Sequence, residues 1–330
     1  MSALLAGAAV LGGALALRLW AARRAARAQP GDPAGLRTDD GVPLHVEVAG
    51  PPDAPVTVVL VHGLAARSGM WHRQWAVLRE HARVVRFDLR GHGRSGWAGR
   101  PRGNLQHLAG DLGLVLDRCA GPGPVVLVGH SMGGMAVLAL AGSRPELFGT
   151  RVTGVGLLST LAGPLAVAGT GGRAPLRTAL ARAAAWAGWL VSPLVDALHP
   201  VRTGPVRRLL RRRLFAGDPP RDAVRRMTGS WEHTPTAVLT AHLPGLARYD
   251  RRGVLDALRG VPVLVLAGTD DATIPPTAAE RLARRLGPLA RLELVPGAGH
   301  LVPLTHPGAV TPALLDLVDR CRTAPGRRTS

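Results

Sequence analysis

The chain has 330 residues, of which 46% are hydrophobic and 19% are charged, and this balance excludes an intrinsically disordered protein and indicates a sizeable core. All 41 basic residues are arginine and only 22 residues are acidic, so the formal charge of +19 suggests an acidic partner, either a nucleic acid or an anionic membrane surface. Aromatic residues make up only 3% of the chain, which leaves little for base stacking and argues against nucleic acid.

The first predicted element is the apolar segment formed by residues 1–28. An uncharged run from Ala3 to Leu17 is followed by Arg18, Arg23, Arg24 and Arg27. A spanning helix needs about 20 apolar residues, and basic residues after the run keep the following domain in the cytoplasm. We therefore expect a membrane-associated protein with a cytoplasmic main domain. Secretion after cleavage of a signal peptide is the alternative, since residues 26–28 resemble a small-x-small cleavage site.

From residue 44 onward, short runs rich in Val and Leu alternate with helical patterns. The predicted strands are Leu44–Val48, Val56–Val61, Arg83–Asp88, Val125–Val128, Val152–Leu158, Val263–Ala267 and Leu292–Val295. The predicted helices include Leu105–Cys119, Met132–Ser143, Ala278–Leu286 and Ala309–Arg322. Because the strands are almost wholly apolar, both faces of their sheet should be covered. The alternation predicts an α/β fold with a mostly parallel sheet between helices.

One connection, from Leu161 to Asp250, is far longer than an ordinary crossover between strands. Helical patterns fill it, namely Leu176–Val195, the arginine-dense Val206–Phe215 and two shorter pieces. We therefore predict one α/β domain interrupted by a helical cap. In this organisation, residues 29–161 form the first part of the core, 162–250 the cap and 251–330 the second part of the core.

A G-x-S-x-G motif, Gly129-His130-Ser131-Met132-Gly133, lies between a predicted strand and a predicted helix. This context is typical of a strained turn that presents a serine as a nucleophile. Glycine is needed on either side because a strand that turns abruptly into a helix crowds its neighbours. The amino end of the helix adds N–H groups and a partial positive charge. We predict that Ser131 is a catalytic nucleophile.

A second loop, His62-Gly63-Leu64, follows the second predicted strand. A backbone N–H just beyond that strand can point to the same place as the N–H of Met132, which gives two donors for a developing oxyanion. We therefore predict that the backbone N–H groups of Leu64 and Met132 form an oxyanion hole. For His62 we expect a structural hydrogen bond that holds the loop.

The base and the acid that such a serine requires must come from later in the chain. Gly299-His300 follows the last predicted strand, and we predict that His300 takes the serine proton and later returns it. Asp271 follows the sixth strand and is predicted to orient the imidazole. The neighbouring Asp270 is the alternative acid and His306 the alternative base, although His306 precedes Pro307 and is typical of a helix entry.

Several sequence blocks resemble the α/β-hydrolase family, in the branch of esterases and lipases with an inserted cap. They are Val61-His62-Gly63, Phe87-Asp88-Leu89-Arg90-Gly91-His92-Gly93-Arg94-Ser95, Gly129 to Gly134, Gly268-Thr269-Asp270-Asp271 and Gly297-Ala298-Gly299-His300. The resemblance implies an α/β-hydrolase sheet and the triad order Ser131, Asp271, His300. It assigns the acid to the aspartate three residues after the strand-ending glycine, which is Asp271. The family implies neither a metal nor an organic cofactor.

Other motifs have simpler interpretations. Gly91 to Gly96 matches a dinucleotide-binding pattern, but loop residues follow it where a helix is required. Two cysteines are too few for a disulfide framework or a cysteine-based zinc site. Trp186 and Trp189 are expected in the core of the cap rather than on a substrate wall. The arginines of the second cap helix are expected to form a solvated face, with an anionic surface or substrate as the alternative: Arg207, Arg208, Arg211, Arg212 and Arg213.

Together these features predict a serine hydrolase that cleaves a carboxylic ester through an acyl-enzyme on Ser131. The apolar cap favours a lipophilic acyl group, since binding pockets are mostly apolar. The same triad also serves carbon–carbon bond hydrolases and cofactor-free haloperoxidase-like enzymes, which remain alternatives. A non-catalytic interaction module is a further alternative, disfavoured because all three triad residues are present. The predicted partners are a small-molecule ester and an anionic membrane surface.

Overall fold

The structure of the protein, a computed structural model, describes residues 35–98, 105–164, 174–197 and 208–323. The predicted anchor or signal at residues 1–28 lies outside these ranges, as does Arg207. Within them, every helix is either too short or too polar to cross a lipid bilayer.

The core is a seven-stranded sheet with the order β1-β3-β2-β4-β5-β6-β7. Its strands are β1 (Val46–Ala49), β2 (Thr57–Val61), β3 (Arg83–Phe87), β4 (Val125–His130), β5 (Val152–Leu158), β6 (Val263–Gly268) and β7 (Ala290–Val295). β1 pairs with β3 in antiparallel fashion, and every other pair is parallel. The prediction of a mostly parallel sheet is confirmed. β1 begins two residues later than predicted, because Leu44 donates its N–H to the carbonyl of Leu36 and not to a neighbouring strand of the sheet.

The helices, with their bounds, lie before, between and after these strands. They are α1 (His72–Leu78), α2 (Leu105–Cys119), α3 (Met132–Ser143), α4 (Ala174–Ala197), α5 (208–214), α6 (Arg221–His233), α7 (Thr236–Ala241), α8 (Leu243–Ala247), α9 (Pro276–Leu286), α10 (Val302–Thr305) and α11 (Pro307–Thr323). Short 3-10 helices cover Ser68–Trp71, Pro145–Leu147 and Arg252–Leu258.

Helices cover both faces of the sheet, as the apolar strands predict. Alternate residues of each strand join different apolar clusters: Val59 packs with α2, α3 and α9, whereas its neighbour Val58 packs with α1 and α11. Every residue of β2, β4 and β6 is buried. Side chains alternate across a strand, so a strand buried on both faces must be apolar throughout.

The long connection between β5 and β6 contains α4 to α8, and we refer to these five helices as the insertion. Three helices, α6 to α8, with 13, 6 and 5 residues, lie where two shorter pieces are predicted. The arginines of α5 that the structure describes are exposed, as expected for a solvated face: Arg208, Arg211, Arg212 and Arg213.

The expected core position is wrong for Trp186, which is 57% exposed, while Trp189 is half-buried. The buried stripe of α4 consists of smaller residues, Ala185, Gly188 and Ser192. A Cβ at Gly188 would collide with Thr240 of α7. The two helices therefore approach too closely to leave space for an indole between them.

Candidate active site

The turn between β4 and α3 presents Ser131. Its backbone has a φ of 53° and a ψ of −119°, a strained conformation that non-glycine residues rarely adopt. A Cβ at Gly133 would collide with the carbonyl oxygens of Val61 and His62, and one at Gly129 with the backbone of α3. The two glycines of the motif are therefore required sterically, and the serine side chain remains half-buried at the turn.

Ser131, His300 and Asp271 form one chain of hydrogen bonds. The Oγ of Ser131 lies 3.0 Å from Nε2 of His300, and Nδ1 of His300 lies 2.7 Å from Oδ2 of Asp271. Because a carboxylate only accepts, the imidazole hydrogen is on Nδ1, so Nε2 can accept the serine proton. His300 and Asp271 are each 4% exposed, which strengthens these interactions by excluding water.

The geometry distinguishes between the two adjacent aspartates. The second oxygen of Asp271, Oδ1, accepts the N–H groups of Thr273 at 2.8 Å and Ile274 at 2.9 Å, so its carboxylate is held in place. Asp270 is exposed and accepts a hydrogen bond from the hydroxyl of Thr269. Asp271 therefore faces His300, and Asp270 faces solvent.

The loop after β2 lies directly against the serine. A Cβ added at Gly63 would be 3.1 Å from Cβ of Ser131, so no side chain fits between them. Leu64 follows in this loop, and Met132 is the first residue of α3. No hydrogen bond within the described ranges uses the backbone N–H of either residue. Two unused donors thus stand at the ends of β2 and β4.

His62 holds this loop, as expected. Its side chain is fully buried, its Nδ1–H donates to the carbonyl of Gly63 at 2.8 Å, and its Nε2 accepts the N–H of Leu89 at 2.9 Å. Burial lowers the pKa of this imidazole. Sequence reasoning did not anticipate a second tie, in which the Asp88 carboxylate accepts the N–H groups of Ser68 and Arg94. The sequence feature that could have indicated this role is the position of Asp88 in the family-like block from Phe87 to Ser95.

The remaining candidates lie apart from this constellation. Nδ1 of His306 forms a hydrogen bond with the hydroxyl of its neighbour Thr305. His306 directly precedes α11. The Gly91–Gly96 segment closes on itself through a hydrogen bond from Gly91 to Gly96, and no helix begins between residues 91 and 98. Among the described residues, no group of three or more His, Cys, Asp or Glu side chains is arranged to hold a metal ion.

A model of the family described as "Alpha/beta hydrolase family" matches residues 58–313. Two curated relatives match almost the whole chain. RutD of Variovorax paradoxus, which bears carbamate hydrolase as a provisional name, is 31% identical over 290 residues that cover 86% of this chain and 99% of that protein. The bifunctional esterase/perhydrolase DCH of Acinetobacter calcoaceticus is 28% identical over 288 residues, which cover 86% and 98% of the two chains.

The fold also matches solved structures. A thermophilic esterase from Thermogutta terrifontis superposes with a TM-score of 0.70 and 26% sequence identity, and the match covers 86% of this chain and 95% of the esterase.

Proposed function

The chain belongs to the α/β-hydrolase family and is a hydrolase, and from this premise we propose that it cleaves carboxylic esters with Ser131 as the nucleophile. The observation that carries the proposal is the continuous relay from Ser131 through His300 to Asp271, with donor–acceptor distances of 3.0 and 2.7 Å. Such a relay activates a serine hydroxyl for attack on a carbonyl carbon.

In the first half of the proposed reaction, the Oγ of Ser131 bonds to the carbonyl carbon as its proton passes to Nε2 of His300. The negative charge moves to the carbonyl oxygen, which accepts hydrogen bonds from the N–H groups of Leu64 and Met132. Asp271 stabilises the imidazolium that forms. The carbon–oxygen bond of the ester then breaks, the alcohol leaves with the proton from His300, and the acyl group stays on the serine.

In the second half, water replaces the alcohol. His300 accepts a proton from the water, whose oxygen attacks the acyl carbon, and the same two N–H groups bind the second oxyanion. When the bond to Oγ breaks, His300 returns the proton to Ser131 and the carboxylic acid leaves. In each half His300 first accepts a proton and then returns it, while Asp271 and the two N–H groups keep the same roles, so the enzyme is restored without a cofactor.

We propose a lipophilic acyl group for the substrate and a capping role for the insertion. The insertion begins after the carboxyl end of β5, at the edge of the parallel sheet where Ser131, Asp271 and His300 follow β4, β6 and β7, so it connects to the core beside the site. In our proposed division, residues 162–250 cap a core formed by 29–161 and 251–330. The names of two similar proteins, an esterase/perhydrolase and a thermophilic esterase, support the ester as the scissile group.

A carbamate is the second candidate substrate. RutD, 31% identical over nearly the full length of both chains, has a carbamate in its provisional name. A carbamate carbonyl is attacked in the same way, but its nitrogen donates electrons to the carbonyl and makes the acyl-enzyme slower to form. The two candidates therefore differ in relative rate rather than in the residues that they require.

Two measurements on the full chain test the proposal. A fluorophosphonate should label the wild-type protein on Ser131 and should leave Ser131→Ala unlabelled. Hydrolysis of p-nitrophenyl esters from acetate to palmitate, with a p-nitrophenyl carbamate alongside, should show the highest kcat/KM for acyl chains of medium or greater length. A folded wild-type protein without labelling contradicts the serine mechanism, and activity confined to acetate contradicts the lipophilic acyl group.

A further inference from the structure

His130, the residue just before the serine nucleophile, contacts the backbone of the base. Its side chain is 1% exposed, and its Nε2 lies 2.8 Å from the carbonyl oxygen of His300, a residue 170 positions away in the chain. The two imidazole rings are tilted by 54° with centroids 5.0 Å apart. In the motif, His130 occupies a position that can hold any residue type, so the motif itself assigns it no role.

The protonation state of His130 follows from its partner. A carbonyl oxygen only accepts, so Nε2 of His130 carries the hydrogen and donates it. Its Nδ1 is then a bare acceptor, buried without a partner in the described part of the chain. Burial and the neighbouring His300 lower the pKa of His130 to about 3. The side chain is therefore a neutral donor at any pH at which an enzyme of this type works.

The rest of the His300 loop is tied to other elements. The carbonyl of Ala298 accepts the N–H of Asp270, and Leu301 donates its N–H to Leu214 at the end of α5. The loop is thus fixed to the end of β6 on one side and to the insertion on the other. The backbone of His300 itself is held by His130, whose Nε2 donates a hydrogen bond to the carbonyl oxygen of His300.

We propose that His130 is a positioning residue that joins the nucleophile and the base into one unit. Its side chain holds the backbone of His300, while its own backbone leads directly into Ser131. A displacement of the turn after β4 therefore carries the base with it, and the 3.0 Å separation between Oγ and Nε2 is preserved. This inference rests on the proposed function, since it assumes that Ser131 and His300 react together.

The expected effect is on the rate constant rather than on substrate binding. A misplacement of about 1 Å between reacting groups can reduce a rate about 100-fold. Loss of the hydrogen bond from His130 releases the backbone of His300 but removes no group that touches the substrate. We therefore expect kcat to fall and KM to stay nearly constant.

A matched pair of variants tests the role of the donor. Gln and Met have similar length and volume, but only Gln carries an N–H donor near the position of Nε2. His130→Met should reduce kcat for a p-nitrophenyl ester by about 10- to 100-fold, with a similar fall in the rate of fluorophosphonate labelling. His130→Gln should recover most of that loss.

Thermal unfolding and a control variant separate positioning from stability. His45 is also buried, at 6% exposure, but it bonds to Glu47 at the edge of the sheet, so His45→Met should leave kcat unchanged. Equal kcat in wild type and His130→Met would overturn the inference, as would equal losses in the Met and Gln variants. A loss that matches the unfolded fraction would also overturn it. An unlabelled, inactive wild type would refute the proposed function itself, whereas the other results refute the positioning role alone.

Discussion

Asp271 and His300 share a hydrogen bond of 2.7 Å although they follow different strands of the sheet, β6 and β7. The parallel pairing of these strands places both carboxyl ends at the same edge, so a loop after each strand is enough to bring the side chains together. The carboxylate does not depend on His300 for its orientation, because two backbone N–H groups hold its other oxygen. The backbone therefore fixes the position of the Asp271 carboxylate independently of its contact with the imidazole.

This arrangement predicts that replacing Asp271 reduces kcat far more than replacing the adjacent Asp270 does. Asp271→Asn should reduce kcat about 10⁴-fold, because the amide stabilises the wrong imidazole tautomer and cannot stabilise the imidazolium. Asp270→Asn should change kcat no more than about threefold, since that carboxylate is exposed and bonds to Thr269. Steady-state kinetics with a p-nitrophenyl ester measures both. A greater loss for Asp270→Asn would assign the acid to that residue instead.

Two glycine-to-alanine changes, one in the turn at Ser131 and one in α2, should have opposite effects on stability. Gly133→Ala places a methyl group against the carbonyl oxygens of Val61 and His62, so it should destabilise the fold by several kcal/mol or prevent folding. Gly110 lies inside α2 with nothing within 4 Å of its added Cβ. Gly110→Ala should therefore stabilise the protein by about 0.5–1 kcal/mol. Urea unfolding compares the two, and equal stability of Gly133→Ala and wild type would contradict the steric account.

Much of the core was predictable because its signals are local. Continuous apolar runs indicated each central strand, and the glycines of the motif located Ser131 between β4 and α3. Helix α1 was missed because its stability is tertiary: Gln74 is fully buried and donates to the carbonyl of Pro303, 229 residues away. Similarly, the contact between His130 and His300 has no counterpart in any sequence pattern.

The buried histidines predict a loss of stability on acidification. Burial lowers the pKa of His130 to about 3 and of His242 to about 4, and it also lowers the pKa values of His62 and His92. As the pH falls below about 6.5, the unfolded chain binds protons that the folded protein does not bind. The free energy of unfolding should therefore decrease between pH 6.5 and 4, by up to about 1.4 kcal/mol per pH unit for each histidine.

Two single variants test this pH dependence. His242→Met removes one group that gains a proton on unfolding, so the slope of stability against pH should become shallower between pH 6.5 and 4, by up to about 1.4 kcal/mol per unit. The matched comparison is His81→Met, which replaces an exposed histidine instead of a buried one. Urea unfolding at several pH values between 4 and 7 gives both slopes. An unchanged slope in His242→Met would show that this imidazole has the same pKa in the folded and unfolded states and would contradict the effect of burial.

The buried ion pair between Arg90 and Asp111 should contribute more to stability than an exposed ion pair does. Arg90 and Asp111 have side chains that are 5% and 2% exposed, and two hydrogen bonds of 2.6 Å join them. Asp111→Asn removes the negative charge and leaves the guanidinium with Asp40 at the rim, so it should cost on the order of 3 kcal/mol of stability. The matched control is Asp256, whose pair with Arg259 is more than 70% exposed on both sides. Asp256→Asn should change stability by less than about 0.5 kcal/mol, because water screens exposed charges. Similar unfolding midpoints for the two variants would mean that Asp40 alone satisfies Arg90.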